Sequence, residues 1–380
     1  MGGIFLSNRS EAENVTMIIS EFDAARKISK KRVIAESAAV FYDENIETAR
    51  ACGSGMPLPG MRSRTEAAKK SALRPLEMCK GTIRRTEGMR IGALEGGGTK
   101  MVCAVGDETG RIMEQISIPT TTPEETMPPM IEYFRSRKIE ALGIAMFGPV
   151  GVTKGSPDYG KVLNTPKLAW RGCDVVGAFE KALGVPVGFD TDVNGSCLGE
   201  VTYGAAKGLN SVAYYTIGTG VGGGFYVNGG LLHGMLHPEA GHMLLTVSDK
   251  DPNGSVCPFH PNCFEGLCSG PSIEKRWGEK AVRLKDRAEV WELESDYIAQ
   301  ALTGIIMILS PQRIILGGGV MHQEQLFPMI REKVSALVNG YLQTPELADM
   351  EHYIVPASLN DDQGIMGAIR LGELAAAEAG

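Results

Sequence analysis

Residues 90–105 have the sequence RIGALEGGGTKMVCAV, in which two apolar segments flank the turn Gly97-Gly98-Thr99-Lys100. This pattern predicts a strand, a tight turn and a second strand. Nucleotide-binding loops of the Walker and dinucleotide kinds are followed instead by a helix whose N-terminus holds phosphate. In a hairpin, the backbone N–H groups of the turn and the Thr99 hydroxyl could hold phosphate, because glycine places no Cβ in the way.

The same pattern returns further along the chain. Ser211–Ile217 is an apolar segment, Gly218-Thr219-Gly220 is the turn, and Val221–Val227 is the second apolar segment. One glycine hairpin is common and needs no ligand to explain it. Two copies with threonine in the turn predict two related lobes that face each other and bind phosphate.

A third glycine run, Gly317-Gly318-Gly319, follows the apolar segment Arg313–Leu316 and precedes a helical stretch. It could cover the adenine and ribose of a nucleotide, although an ordinary strand-to-helix turn has the same sequence pattern. Apolar spacing elsewhere predicts helices at Pro123–Arg135, Cys173–Leu183 and Ala288–Leu309. Strands and helices therefore alternate, and we expect an α/β fold.

Four potential metal ligands lie close together in the sequence. Cys257, His260 and Cys263 form a Cys-x₂-His-x₂-Cys pattern, and His242 precedes it by 15 residues. Two thiolates and two imidazoles suit a closed tetrahedral Zn²⁺ site. The alternative is that the two cysteines are simply buried thiols. The nearby Cys268 could substitute as a ligand, although its apolar context fits packing better.

Length, charge and cysteine content limit the class of protein. A chain of 380 residues suggests two domains, and its net charge of −7 argues against nucleic-acid binding by the body. No apolar run reaches the roughly 20 residues needed to span a bilayer. The eight cysteines are spread along the chain, which favours reduced thiols and a cytoplasmic location.

The first 88 residues differ from the rest, with 15 Lys and Arg against 11 Asp and Glu. Met89 then immediately precedes the first strand, so we expect residues 1–88 to be a poorly ordered extension that the folded body does not need. An accessory segment and a DNA-binding head are the alternatives. A helix-turn-helix would need a short glycine turn between two amphipathic helices, and that pattern is missing here.

Five segments together resemble the ROK family of bacterial sugar kinases and repressors, and most of all its zinc-containing fructokinases, over about residues 89–372. These are Glu95–Lys100, Thr191–Asn194, Ile217–Gly224, His237–His242 and Leu316–Val320. The resemblance implies an actin-like ATPase fold of two ribonuclease-H-like lobes, with ATP, Mg²⁺ and a hexose in the cleft. Residues 89–206 plus 364–380 would form the small lobe, and 207–363 the large lobe with its zinc-binding loop. It also implies a homodimer.

The catalytic base is expected at the end of the apolar segment Val185–Phe189, where a helix over Gly195–Tyr203 follows. A hydroxyl group needs a base to take its proton during phosphoryl transfer. Asp192 matches the family's catalytic aspartate. Asp190 is the alternative from the residues alone, and Asp192 could instead only cap the helix.

The resemblance also implies the substrate contacts. Glu239 and Glu265 would hold sugar hydroxyls, with Asn164 on another wall of the pocket and Thr191 beside the base. Family glucokinases have Asn where this chain has Thr191, which favours fructose over glucose. Glucose, mannose and N-acetylmannosamine kinases, and a sugar-responsive repressor, are the alternatives. Glu95 stands where many members have Asp, near Mg²⁺.

Overall fold

The computed structural model of the chain describes residues 88–251 and 253–380, which belong to the compact unit Ile83–Gly380. The expectation for residues 1–88 therefore lies outside the described residues, apart from Gly88. Within the described ranges, no helix is both long enough and apolar enough to cross a membrane.

The first sheet contains β1 (Ile91–Gly96), β2 (Lys100–Gly106), β3 (Ile112–Pro119), β4 (Ala141–Met146) and β5 (Val187–Thr191). Its strand order is β3-β2-β1-β4-β5. The first three strands are antiparallel neighbours, whereas β4 and β5 pair in parallel. All six residues of β4 are buried, as expected for a central parallel strand that is covered on both faces.

The second sheet contains β6 (Ser211–Ile217), β7 (Val221–Val227), β8 (Gly230–Leu231), β9 (Arg313–Gly317) and β10 (Ile354–Pro356). Its order is β10-β9-β6-β7-β8, with an antiparallel β6–β7 hairpin and parallel β9 and β10. Read from its other edge, this order is that of the first sheet. Both glycine hairpins and the α/β fold with two related lobes are thus confirmed.

The helices agree closely with the sequence periodicity. They are α1 (Pro123–Arg137), α2 (Val175–Leu183), α3 (Asp192–Thr202), α4 (Phe264–Cys268), α5 (Gly270–Trp277), α6 (Ala288–Leu309), α7 (Leu326–Val338), α8 (Pro345–Ala348), α9 (Met350–Tyr353) and α10 (Gln363–Ala379). The prediction for α6 has the observed bounds. The α2 helix begins two residues later than predicted, because Asp174 caps it by accepting from the Gly177 N–H.

The α3 helix begins three residues earlier than predicted, at Asp192. Its cap is Thr191, whose hydroxyl accepts a hydrogen bond from the Asn194 backbone N–H at 3.1 Å. Asp192 is the first helical residue, so the alternative that it merely caps the helix was wrong.

The last helix, α10, packs against α3 and against strands of the first sheet. Its contact with α3 depends on glycine, because a Cβ on Gly367 would lie 1.7 Å from the Gly195 carbonyl oxygen. The largest hydrophobic core lies on the second sheet, with Tyr215, Trp291 and Tyr297 fully buried. A second core packs on the first sheet.

Candidate active site and metal centre

A cavity of about 600 Å³ brings together residues from both sheets and from the loops between them. Many sequence-predicted residues line it: Asn164, Thr191, Asp192, Gly218, Thr219, Gly220, Glu239, His242, Cys257 and Glu265. The glycines of the first hairpin and of the third run are not part of this lining. The predicted base, the predicted sugar contacts and the second glycine turn thus line the same cavity.

Asp192 lies at the junction of β5 and α3, facing the cavity. Its Oδ1 accepts a hydrogen bond from the Val193 N–H at 2.9 Å. Burial raises the pKa of this carboxyl group to about 6, against the opposing effect of that hydrogen bond. A carboxylate with a pKa just below neutrality is suited to accept a proton from a substrate.

The alternative base, Asp190, is buried and already occupied by hydrogen bonds. Its Oδ1 accepts from the Thr191 N–H at 2.8 Å and from the Asn194 side-chain amide at 2.7 Å. Its Oδ2 lies 2.8 Å from His233 Nε2. Asp190 is also absent from the cavity lining. Its hydrogen bonds instead connect the end of β5 to α3 and to His233.

Glu95, at the end of β1, adds a second carboxyl group near Asp192. Burial and then the charge of Asp192 raise the pKa of Glu95 to about 7, and Lys100 lowers it in part. Two neighbouring carboxyl groups with raised pKa values favour a cation between or beside them.

The first glycine turn has different neighbours from the second and third. A Cβ on Gly98 of the first turn would meet the Lys167 side chain at 3.2 Å, in the loop that also carries Asn164. A Cβ on Gly218 of the second turn would lie 3.6 Å from the Gly319 N–H of the third run. The second and third glycine turns are therefore neighbours.

The predicted sugar contacts differ in their surroundings. Glu265 Oε2 accepts from the Val221 N–H at 3.0 Å, so this side chain supports the second hairpin from inside the cavity. Burial, followed by the charges of Glu265 and Asp192, raises the pKa of Glu239 to about 7. The Thr191 hydroxyl lines the cavity while it caps α3.

The main-chain partner of His237 could not be predicted from the sequence, because it is distant in the chain. His237 is 6% exposed and lines the cavity beside Glu239. Its Nε2 lies 3.1 Å from the backbone nitrogen of Val150, just after β4. In the sequence, the signal for His237 was its place at the start of the segment His237–His242, which resembles a family motif.

The four predicted metal ligands meet at one point. The ligand atoms of His242, Cys257, His260 and Cys263 all lie within 4.8 Å of one another. Cys257 Sγ is 3.7 Å from His260 Nδ1 and 4.0 Å from His242 Nδ1. Tetrahedral Zn²⁺ with ordinary bond lengths places such S and N ligands about 3.5 Å apart, so the donor set and spacing fit zinc. Cys268 is not in this group.

A buried polar network joins the loop between His242 and Cys263 to the helices that follow it. Arg276 pairs with Asp251 at 2.8 Å and with Glu294 at 2.6 Å, and the Tyr297 hydroxyl donates to Asp251 at 2.9 Å. Burial alone would raise the pKa of Asp251, but the Arg276 guanidinium holds it below its ordinary value. Burial raises the pKa of Glu294 to about 8 despite Arg276. The network fastens the loop to α5 and α6.

The chain is similar to known sugar kinases along most of its length. The sequence profile described as ROK family matches residues 91–374. A putative fructokinase of Bacillus subtilis is 49% identical over 282 residues, which is 74% of this chain and 94% of that protein. A fructokinase of Pediococcus pentosaceus is 45% identical over 287 residues, covering 76% of this chain and 99% of that protein.

Solved structures share the fold. The ROK hexokinase of Thermus thermophilus superimposes with a TM-score of 0.62 at 25% identity, covering 77% of this chain and 100% of that one. The Streptomyces griseus glucokinase, solved with glucose and AMPPNP, has a TM-score of 0.60 at 23% identity, with 75% and 99% coverage.

Proposed function

Since the chain belongs to the ROK family, we propose that it is an ATP-dependent hexose kinase that converts fructose to fructose 6-phosphate. Relatives named fructokinases, 40–49% identical over about three quarters of the chain, support this substrate. The observation that carries the mechanism is the position of Asp192. Its carboxyl group shares one cavity with the second hairpin turn and with Glu239.

The reaction follows from the chemistry of these groups. Asp192 accepts the proton of the sugar's 6-hydroxyl as that oxygen forms its bond to the γ-phosphorus of ATP. The bond from this phosphorus to the β–γ bridging oxygen breaks, and ADP leaves with the electron pair. A base with a pKa of about 6 is largely deprotonated at neutral pH and ready for this transfer.

The nucleotide would be held by the three glycine turns. Backbone N–H groups of the turns Gly97–Lys100 and Gly218–Gly220 would bind phosphate oxygens, with Thr99 and Thr219 as further donors. The N–H groups of Gly97 and Gly218 are not among them, because they already donate to carbonyl oxygens of their own turns. Gly317, Gly318 and Gly319, beside the second turn, would cover the adenine and ribose. Mg²⁺ bound with ATP would supply the positive charge that phosphoryl transfer needs. The Glu95 carboxyl group fits a Mg²⁺ site, because burial and the charge of Asp192 raise its pKa and Lys100 compensates only in part.

The metal centre is proposed to be structural Zn²⁺ held by His242, Cys257, His260 and Cys263. Four protein ligands leave no position for a reacting water. Because His242 and Cys257 also line the cavity, zinc would stiffen the wall that carries Glu239. Thiolate ligands need a reducing compartment, which favours a cytoplasmic location.

We place the small lobe at residues 89–206 plus 364–380 and the large lobe at 207–363. Contacts of α10 with α3 and the first sheet support the discontinuous small lobe. A homodimer is supported by exposed apolar side chains on α6 and around the end of α7. These are Met307, Ile308, Leu337 and Tyr341.

A coupled ADP-release assay tests the proposal, with ATP, Mg²⁺ and a panel of fructose, mannose, glucose and N-acetylmannosamine. We expect the highest kcat/KM for fructose. A preference for another sugar would correct the substrate and keep the kinase. Absence of turnover on every sugar, in protein that contains zinc, would refute the kinase function and favour a sugar-responsive repressor.

A further inference from the structure

The protonation state of His237 is determined by its main-chain partner. The Val150 backbone nitrogen can only donate, so His237 Nε2, 3.1 Å away, must be the acceptor and carries no hydrogen. A neutral imidazole then has its hydrogen on Nδ1. That atom lies 3.5 Å from Oε1 of Glu239, two residues further along the chain. The ring also has a hydrogen-bond partner in the backbone of the intervening Pro238. Burial also lowers the pKa of His237, in keeping with a neutral ring.

The ring is held in one orientation by the backbone that follows β4. A Cβ on Gly148 would lie 3.3 Å from His237 Cε1, so the imidazole packs directly on this segment. The same loop has a second attachment, because His233 Nε2 lies 2.8 Å from Asp190 at the end of β5. The loop that leaves β8 in the second sheet is therefore attached at two points to the ends of strands in the first sheet.

We propose that His237 is a positioning residue that fixes the Glu239 carboxylate across the cleft and thereby sets the affinity for the sugar. This inference rests on the proposed role of Glu239 in binding sugar hydroxyls. Glu239 needs such support, because its side chain is 48% exposed and its charged neighbours in the cavity, Glu265 and Asp192, are both acidic. The Nδ1–H group lies 3.5 Å from Glu239 and also has the Pro238 backbone as a partner. The proposal therefore requires that the contact with Glu239 tightens to a hydrogen bond when sugar binds.

Two substitutions can each remove one of the two contacts of the His237 imidazole, with Val150 and with Glu239. In His237→Asn, the side-chain amide occupies about the place of Nδ1 and can donate to Glu239, but it cannot reach Val150. In His237→Gln, the amide oxygen reaches about the place of Nε2 and can accept from Val150, but the donor to Glu239 is lost. His237→Ala removes both bonds. His352→Ala is the control, because the His352 imidazole is exposed and its partner among the described residues is Asp349, outside the cavity.

The experiment is steady-state kinetics with fructose and with ATP, together with thermal melting of each variant. We expect His237→Ala to raise the KM for fructose about tenfold or more, the effect typical of a lost hydrogen bond to a charged group. The KM for ATP and kcat should stay within about threefold of wild type. His237→Asn should restore much of the fructose KM, His237→Gln should not, and the control should match wild type.

The role of Glu239 is tested in the same series. In a Glu239→Gln background, His237→Ala should have little further effect on the fructose KM, because the two residues act through one contact. An unchanged fructose KM in His237→Ala, or equal rescue by Asn and Gln, would overturn the positioning role while wild-type turnover leaves the kinase standing. A wild-type protein without sugar turnover would instead remove the proposed function, and this inference with it.

Discussion

Replacement of Asp192 by asparagine keeps the shape of the side chain and an oxygen that can accept from the Val193 N–H. It removes the carboxylate that is proposed to take the hydroxyl proton. General-base catalysis contributes about 10²–10⁴ in rate, so kcat should fall by that factor. Binding of ATP and fructose should change little, because the amide occupies the same volume in the cavity wall. The measurement is kcat from ADP release, with ligand affinities from calorimetry.

The pKa of Asp192 makes a second, independent measurement possible. With a folded pKa of about 6, roughly nine-tenths of the carboxyl groups are ionised at pH 7 and roughly one-tenth at pH 5. The active form is the deprotonated one, so kcat should rise with pH and level off above about pH 7. Below pH 6 it should fall about tenfold per pH unit.

The two measurements must agree for the assignment to hold. In Asp192→Asn, the residual rate should lose this pH dependence. A variant that keeps kcat within about tenfold of wild type, or that retains the acid limb of the profile, would refute Asp192 as the base. Asp190→Asn does not test the same step, because its oxygens bind Thr191, Asn194 and His233.

Three further predictions concern the scaffold. Cys257→Ser should lower the bound zinc, measured by elemental analysis, and raise the fructose KM; full zinc retention would exclude Cys257 as a ligand. Arg276→Ala should reduce the free energy of unfolding by about 3–5 kcal/mol in urea titrations, because it removes the only cation paired with the buried Asp251 carboxylate among the described residues; a loss below about 1 kcal/mol would contradict the network. Gly367→Ala should cost at least about 1–3 kcal/mol, since its Cβ would overlap a carbonyl oxygen of α3, and an unchanged melting temperature would contradict the close helix contact.

Local patterns in the sequence were sufficient for the secondary structure and for much of the candidate site. Each glycine hairpin is a contiguous segment whose turn chemistry and flanking strands are encoded within about 17 residues. The bounds of α6 could be predicted because its apolar side chains recur at helical spacing over six turns. The candidate ligands His242, Cys257, His260 and Cys263 could be recognised because metal-binding loops have short, regular spacing.

Contacts between distant segments were not accessible in this way. Both Asp190 and Asp192 follow the same strand, and only the folded chain shows that the first is consumed by hydrogen bonds while the second faces the cavity. Thr191 was expected beside the sugar, and the structure adds that its hydroxyl caps α3.

The sequence by itself determined the two hairpins, the α/β class, the family resemblance and the grouping of four candidate metal ligands, because these depend on residues close together in the chain. The tertiary structure alone decided which face of β5 reaches the cavity, that His237 meets Val150 across 87 residues, and that Arg276 joins Asp251 to Glu294. The physical reason is that burial and hydrogen-bond partners arise when packed sheets and helices bring remote segments together. Side-chain periodicity carries no record of that pairing.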